Sequence, residues 1–321
     1  MSCESGSKLA ISAVIAGLIF LPGVCAAEEG GSGHYMPGSM SSFIDAVPST
    51  ETFVARLNLV YYDASADAQR KIPMAGLVTA DAAAKSWAYG LTLLWRPSIE
   101  LGDRWSYAMS TTIPYVSLDV SANITSPVVG SQTSKVDALG DVVLIPIMLN
   151  YNVNPDLNAE FRLALYAPTG SYEVGRLANT GKNFWTAEPT IGVRYFGQKN
   201  GIEATLLLGA DFNQENDDTS YKSGTQLHLD GTLAQHFPFH GGLAGAGISG
   251  YYYQQVAGDS GTGATLGDFK GRTVGIGPVL SYVTKIGGHD NIIEVKWLHE
   301  VETQNRLEGD IAWLKWVFKF Y

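Results

Sequence analysis

The side chains best placed for chemistry are six histidines, at 34, 228, 236, 240, 289 and 299, and charged residues that recur at even spacing. His236 and His240 stand four apart, the spacing that would put two zinc ligands on one helical face. Phe237-Pro238-Phe239 lies between them, and proline breaks a helix there, so the pair reads as a turn. His228 and Asp230 would share one face of a strand, as would Glu188 and Arg194. Acid–base catalysis could use such pairs, but the same pattern belongs to a polar face lining a hydrated interior, and that reading is adopted. No His-x-Ser signal marks a nucleophile with its base. Gly245-Ala246-Gly247-Ile248-Ser249-Gly250 matches the dinucleotide string G-x-G-x-x-G. It runs into Tyr251-Tyr252-Tyr253, strand material, where that fold needs a helix N-terminus, so its glycines read as close-packing positions. Gly175 and Gly181-Lys182 are one residue too far apart for a phosphate loop, and Asn183 replaces its Ser or Thr. The acidic stretch Asn213–Asp218 could hold Ca²⁺, with solvated loop as the default.

The elements that must position these groups begin with an export leader. Over Met1–Ala27, Lys8 supplies the charge, Leu9–Pro22 the apolar core and Val24-Cys25-Ala26-Ala27 the small residues for cleavage after Ala26 or Ala27. The apolar core is about 14 residues, short of the roughly 20 that span a bilayer. Cys25 raises lipidation, but Val24 sits where a lipobox needs Gly or Ala. Both cysteines, Cys3 and Cys25, fall in the leader, so disulfides, cysteine nucleophiles and thiolate metal sites are excluded from the mature chain. The net charge of −10 argues against a nucleic-acid partner. Charged residues are 16% of the chain, against about 25% in soluble domains, so the surface is short of charge. The longest later apolar run, Val142–Leu149, is eight residues, which excludes a spanning helix.

What remains is strand. Phe53, Ala55, Leu57, Leu59 and Tyr61 take one face of the first, and Val54, Arg56, Asn58, Val60 and Tyr62 the other. Trp87, Tyr89, Leu91, Leu93 and Trp95 repeat the pattern opposite Ala88, Gly90, Thr92, Leu94 and Arg96. Aromatics at both ends of an apolar face, with small or polar residues opposite, mark strands that cross a membrane. Ten more strands follow, at 104–118, 139–152, 157–167, 183–196, 201–213, 224–236, 242–254, 271–284, 291–300 and 309–320. The connections alternate long (64–83, 119–138, 168–182) and short (97–103, 153–156, 197–200), as an up-and-down barrel requires and a Greek-key sandwich does not. Near the end, Leu314, Trp316, Phe318 and Phe320 form an apolar face opposite Lys315 and Lys319, with the terminal aromatic Tyr321 one residue out of phase. The fold expected is all-β: a transmembrane up-and-down antiparallel β-barrel of about 12 strands over residues 51–321.

Parity places Arg56, Arg96, Glu160, Arg162, Glu188 and Arg194 in the lumen, as the candidate substrate-contacting residues. Residues 28–50 lack any period but carry Tyr35, Met36, Phe43 and Ile44 to bury and enough glycine to bend, so they are either a free leader or a lumen plug. No catalytic residue, metal or cofactor is expected.

Several stretches together resemble one family: Glu29–Gly38, Leu139-Gly140-Asp141-Val142, Tyr166–Tyr172, Asn179–Trp185, Gly250–Gln255 and Gly258–Gly261. They are similar to the SphA-like outer-membrane transporters labelled "MetA-pathway of phenol degradation", over nearly the whole mature chain. That resemblance implies a barrel carrying small hydrophobic or aromatic compounds across the outer membrane, with no established catalytic residues. The expected partners are outer-membrane lipid and such a solute, around a monomer. The alternatives are a structural or adhesive barrel without transport, and an outer-membrane enzyme acting on lipids.

Overall fold

The computed structural model describes residues 31–99, 101–267 and 270–320; the leader expected over 1–27 and the terminal Tyr321 lie outside them. Fourteen antiparallel strands form one sheet: β1 (Thr52–Ala66), β2 (Ile72–Met74), β3 (Leu77–Arg96), β4 (Trp105–Ser126), β5 (Gly130–Leu139), β6 (Val142–Asn154) and β7 (Leu157–Ala167), then β8 (Thr186–Phe196), β9 (Ile202–Asn213), β10 (Gln226–Phe239), β11 (Gly242–Gln255), β12 (Arg272–Ile286), β13 (His289–Gln304) and β14 (Glu308–Lys319). β1 pairs with β3 on one side and with β14 on the other, so twelve strands close into a barrel; β2 and β5 are side additions to β3 and β4. Closure satisfies every strand edge within the barrel wall, the condition for lying in hydrocarbon. The shortest barrel strands, β7 and β8, have 11 residues. At about 3.4 Å per residue and a tilt of about 40°, each rises about 28 Å, enough to cross the apolar layer.

The side-chain period sorts the wall. Leu57, Tyr89, Leu206, Leu233, Ile248, Leu280 and Trp297 point out and are exposed, while Arg162, Glu188, Asp211, His228, Glu294, Lys296 and Lys315 point in and are buried. A soluble protein would have these reversed; here the apolar solvent is outside. Leu233 lies mid-strand at 63% exposure. Leu233→Arg is expected to destabilise the barrel by about 2–4 kcal/mol in lipid, read as a lower denaturant midpoint in vesicles than for Leu233→Ala.

Two stretches expected as long loops, 64–83 and 119–138, are largely strand. β1 runs on to Ala66, β3 starts at Leu77, β4 reaches Ser126, and β5 folds back along it from Gly130. Above the membrane layer both strand faces meet water, so the alternation of polarity fades while the ladder hydrogen bonds continue. The strand through His236 likewise continues past Pro238 to Phe239, leaving only His240 and Gly241 in the turn. The Gly-rich strands, whose faces were ambiguous in the sequence, turn Gly245 and Gly275 inward. A Cβ on Gly245 would collide with the His236 ring, and one on Gly275 with the Tyr251 ring. The dinucleotide-like string is therefore wall, opened to admit neighbouring rings.

Candidate functional site

Residues 31–50 thread the barrel. Gly31 packs near Ile72 and Leu307 at the end carrying the long loops, and Asp45 reaches Arg56 on β1 close to the short-turn end. Tyr35, Ser41, Ser42, Ile44 and Asp45 are buried. The segment follows no regular period because it packs against a curved wall on several sides. Gly38 shows why glycine is needed: its φ is +77°, and a Cβ would stand 2.7 Å from Leu298 Cδ1 and 3.3 Å from Trp313 Nε1. One short helical turn, Phe43–Asp45, is closed by Ser42 and Asp45 in a reciprocal capping box.

Its polar atoms are matched from around the wall. The Tyr35 hydroxyl donates to both oxygens of Asp230 on β10, at 2.8 and 2.9 Å, and Gly38 N–H donates to the same carboxylate at 3.1 Å. Ser42 donates to Glu294 on β13, and Phe43 N–H to Glu203 on β9 at 2.8 Å. Trp313 Nε1–H donates to the Pro37 carbonyl at 2.9 Å, and Lys296 Nζ to Ser41 Oγ at 2.6 Å. Asp45 is the densest anchor. Arg56 meets it at 2.6 Å, Lys315 at 2.8 and 2.9 Å, and Arg162 donates to its backbone carbonyl. Charges taken this far from water persist only when paired and hydrogen-bonded, which each of these is.

Five of the six parity candidates fall on this charged wall. Arg56 and Arg162 touch the threaded segment directly; Glu160 is shared by Arg162, at 3.1 Å, and Arg194. Glu188 accepts from Tyr166 and from Thr190 at 3.2 Å. Arg96 stands apart and contacts Ser106 at 3.3 Å. Parity did not mark Asp45 as a site residue, and Asp141 stood out only within the stretch Leu139-Gly140-Asp141-Val142. Asp45 carries a legible signal, the Ser42-x-x-Asp45 capping spacing.

Asp141, between β5 and β6, gathers three of the stretches that carried the family resemblance. Gly170 N–H donates to it at 2.8 Å, Lys182 N–H at 2.6 Å, and His34 Nε2 is 2.9 Å away. Gly170 and Gly181 cross so closely that a Cβ on the first would lie 2.6 Å from Cα of the second. Burial by itself would raise the Asp141 carboxyl, but the His34 hydrogen bond, with the two backbone donors, holds it below the ordinary carboxylate range. Burial also lowers the His34 imidazole below its ordinary 6.5, against the pull of Asp141. Folded His34 therefore stays neutral where the unfolded chain takes up a proton, so its contribution is intact above about pH 6.5 and falls on acidification until His34 itself protonates. Stability against thermal unfolding should fall by at most about 1.4 kcal/mol per pH unit in that window. His34→Gln, which keeps a donor for Asp141 but does not titrate, should flatten the profile.

The other side of the lumen is different. Between the segment and the inward faces of β1, β3, β4 and β6 lies a cavity of about 350 Å³. Val60, Ala84, Ala88, Gly90, Val116, Leu118, Val143 and Ile145 line it, and Met36 and Met40 of the segment face it. Met36, expected as a residue to bury, is instead 41% exposed on that side. At the long-loop end Met74, Leu177 and Leu307, which cluster with Ile72 and Ala178, also line it. A cavity of about 150 Å³ with apolar walls holds a benzene molecule, so this one has room for a single-ring compound with substituents.

Among solved structures, an outer membrane channel of Pseudomonas putida F1 matches with a TM-score of 0.68 at 16% identity, covering 89% of this chain and all of that one. The β domain of the Bordetella autotransporter BrkA gives a TM-score of 0.49 at 11% identity, over 84% of this chain and 100% of that one. The first likeness agrees with the outer-membrane barrel fold derived above. No curated protein matches by sequence. A family profile described as "Putative MetA-pathway of phenol degradation" does match, over residues 66–316, and the chain belongs to that family.

Proposed function

We propose that this protein is an outer-membrane channel for uptake of small hydrophobic or aromatic compounds, with residues 28–48 as its internal gate. The observation that carries this reading is the division of the lumen. One wall spends its charges on holding the segment, and the other leaves an apolar cavity sized for a ring. The family description, naming phenol degradation, points to the same solute class. Residues 1–27 would be the cleaved leader, the outward Leu, Ile and Trp face would meet lipid, and the channel would act as a monomer. Arg56 and Arg162 would act on solutes indirectly, by seating the gate, while Arg96, Glu160, Glu188 and Arg194 would keep the remaining lumen polar. Transport rather than catalysis is favoured because most of the inward charged groups are paired with one another or with the segment.

The test is solute flux into vesicles carrying the refolded mature chain, with and without residues 28–48, against protein-free vesicles. Phenol-like flux above that baseline, with sugar flux appearing only after truncation, is the expected result. The density of buried bonds on the segment favours a second reading, a permanently closed structural barrel. Absence of flux from both forms would establish that one instead.

A further inference from the structure

Glu188 on β8, Asp211 on β9 and His228 on β10 are all buried in the lumen, and each offers a ligand atom within 4.8 Å of the others. Acidic clusters alone mean little, but the histidine here is built as a ligand. Its Nδ1 is held by Asp230 at 3.1 Å, and Asp230 is itself held by Tyr35. Nε2, in a side chain only 2% exposed, makes no hydrogen bond and stands 3.4 Å from Glu188 Oε1. A carboxylate–imidazole pair of this kind fixes the ring and leaves the other nitrogen for an ion. Gly209 faces His228 across the β9–β10 pair, and a Cβ there would collide with the imidazole, so glycine is what lets the ring pack against β9.

One of the three ligand-atom pairs has the spacing that a small ion needs. Two ligand atoms each about 2.05 Å from a tetrahedral centre stand about 3.4 Å apart, the separation found between Nε2 and Glu188 Oε1. Charge points the same way. The side chains seated on Glu188 and Asp230 are the hydroxyls of Tyr166, Thr190 and Tyr35 and the His228 imidazole, not a lysine or arginine. One nitrogen and two carboxylate oxygens favour a first-row divalent ion such as Zn²⁺ over Ca²⁺ or Mg²⁺.

We propose that Glu188, Asp211 and His228 form a divalent transition-metal site in the lumen that clamps β8, β9 and β10 together. Through Asp230, and through Tyr35 stacked on the His228 ring with centroids 3.9 Å apart, the ion also steadies the threaded segment. The inference stands whether or not the channel carries aromatic solutes.

The experiment is a calorimetric titration of chelator-treated, detergent-solubilised mature chain with Zn²⁺, and separately with Ca²⁺ and Mg²⁺. One Zn²⁺ per folded chain is expected, without saturable Ca²⁺ or Mg²⁺ binding and with a raised unfolding temperature. Asp211→Asn and His228→Gln should each bind at least about 100-fold more weakly. Because either variant could fail to fold, a triple variant of the exposed His240, His289 and His299 provides an independent reading and should bind as the wild type does. Absence of stoichiometric Zn²⁺ binding in the folded wild type would overturn the proposal, as would its loss in that triple variant or its retention in folded His228→Gln.

Discussion

Asp45→Ala should open the barrel. The substitution removes the carboxylate that Arg56 meets at 2.6 Å and Lys315 at 2.8 Å, leaving two cations that face each other without it in a lumen the segment keeps dry. It also removes the acidic half of the Ser42–Asp45 capping box, so the helical turn that presents the Asp45 carbonyl to Arg162 loses its closure. Breaking a buried pair by deleting one partner costs about 3–5 kcal/mol. If that cost falls on the seated state alone, the unseated population rises by about two to four orders of magnitude. Single-channel recording should then show frequent openings in Asp45→Ala where the wild type is almost always closed. Lys315→Met in the Asp45→Ala background should restore part of the closure, since one of the two cations that faced Asp45 is gone, and the double-mutant cycle gives the coupling directly. Unchanged conductance in folded Asp45→Ala would show that the segment is not held by this anchor.

Gly90→Phe should do the opposite to one solute class. Gly90 lies on the apolar wall of β3, lines the cavity, and a Cβ there meets Asn58 and Thr112 only at 3.5 Å, an ordinary contact. A phenyl group built on that position adds its bulk to the inward face that borders the space of about 350 Å³. Replacing glycine in a strand interior with an aromatic residue also favours the strand. The barrel should therefore fold normally while aromatic flux falls by about tenfold or more, as expected when a ring-sized site is filled. In a chain lacking residues 28–48, the same substitution should leave sugar flux nearly unchanged, because the vacated half of the lumen is then the wider path. Equal loss of both fluxes would mean that the cavity is not the route.

The strands were legible in the sequence because a barrel in lipid imposes one strict rule on each of them. Alternate residues meet hydrocarbon and lumen, so the face of Leu57 and Leu59, or of Leu206 and Leu208, announces itself from local order alone. The rule fails where its cause is absent. Above the bilayer, β5 and the upper part of β4 hold their ladder without an apolar face, and they read as loop. The inward positions of Arg56, Glu160, Arg162, Glu188 and Arg194 followed from the same parity, but parity carries no information about which of them touch each other.

Contact is what the tertiary structure decided. Nothing in the order of the residues says that Asp45 lies between Arg56 and Lys315, which are far apart in sequence and meet because β1 and β14 close the barrel. The scattered Gly-Asp, Pro-Thr-Gly and Thr-Gly-Lys stretches become one junction only when Gly140, Gly170 and Gly181 cross beside Asp141. Glu188, Asp211 and His228 likewise come from three strands and share a point in space through register. Composition and period are local properties, so the sequence alone determined an all-β barrel and the two faces of its wall. The threaded segment, the split between a charged and an apolar lumen wall, and the buried cluster depend on which strands meet across the closed circle. Those meetings are set by the sum of long-range pairings, and only the folded barrel fixes them.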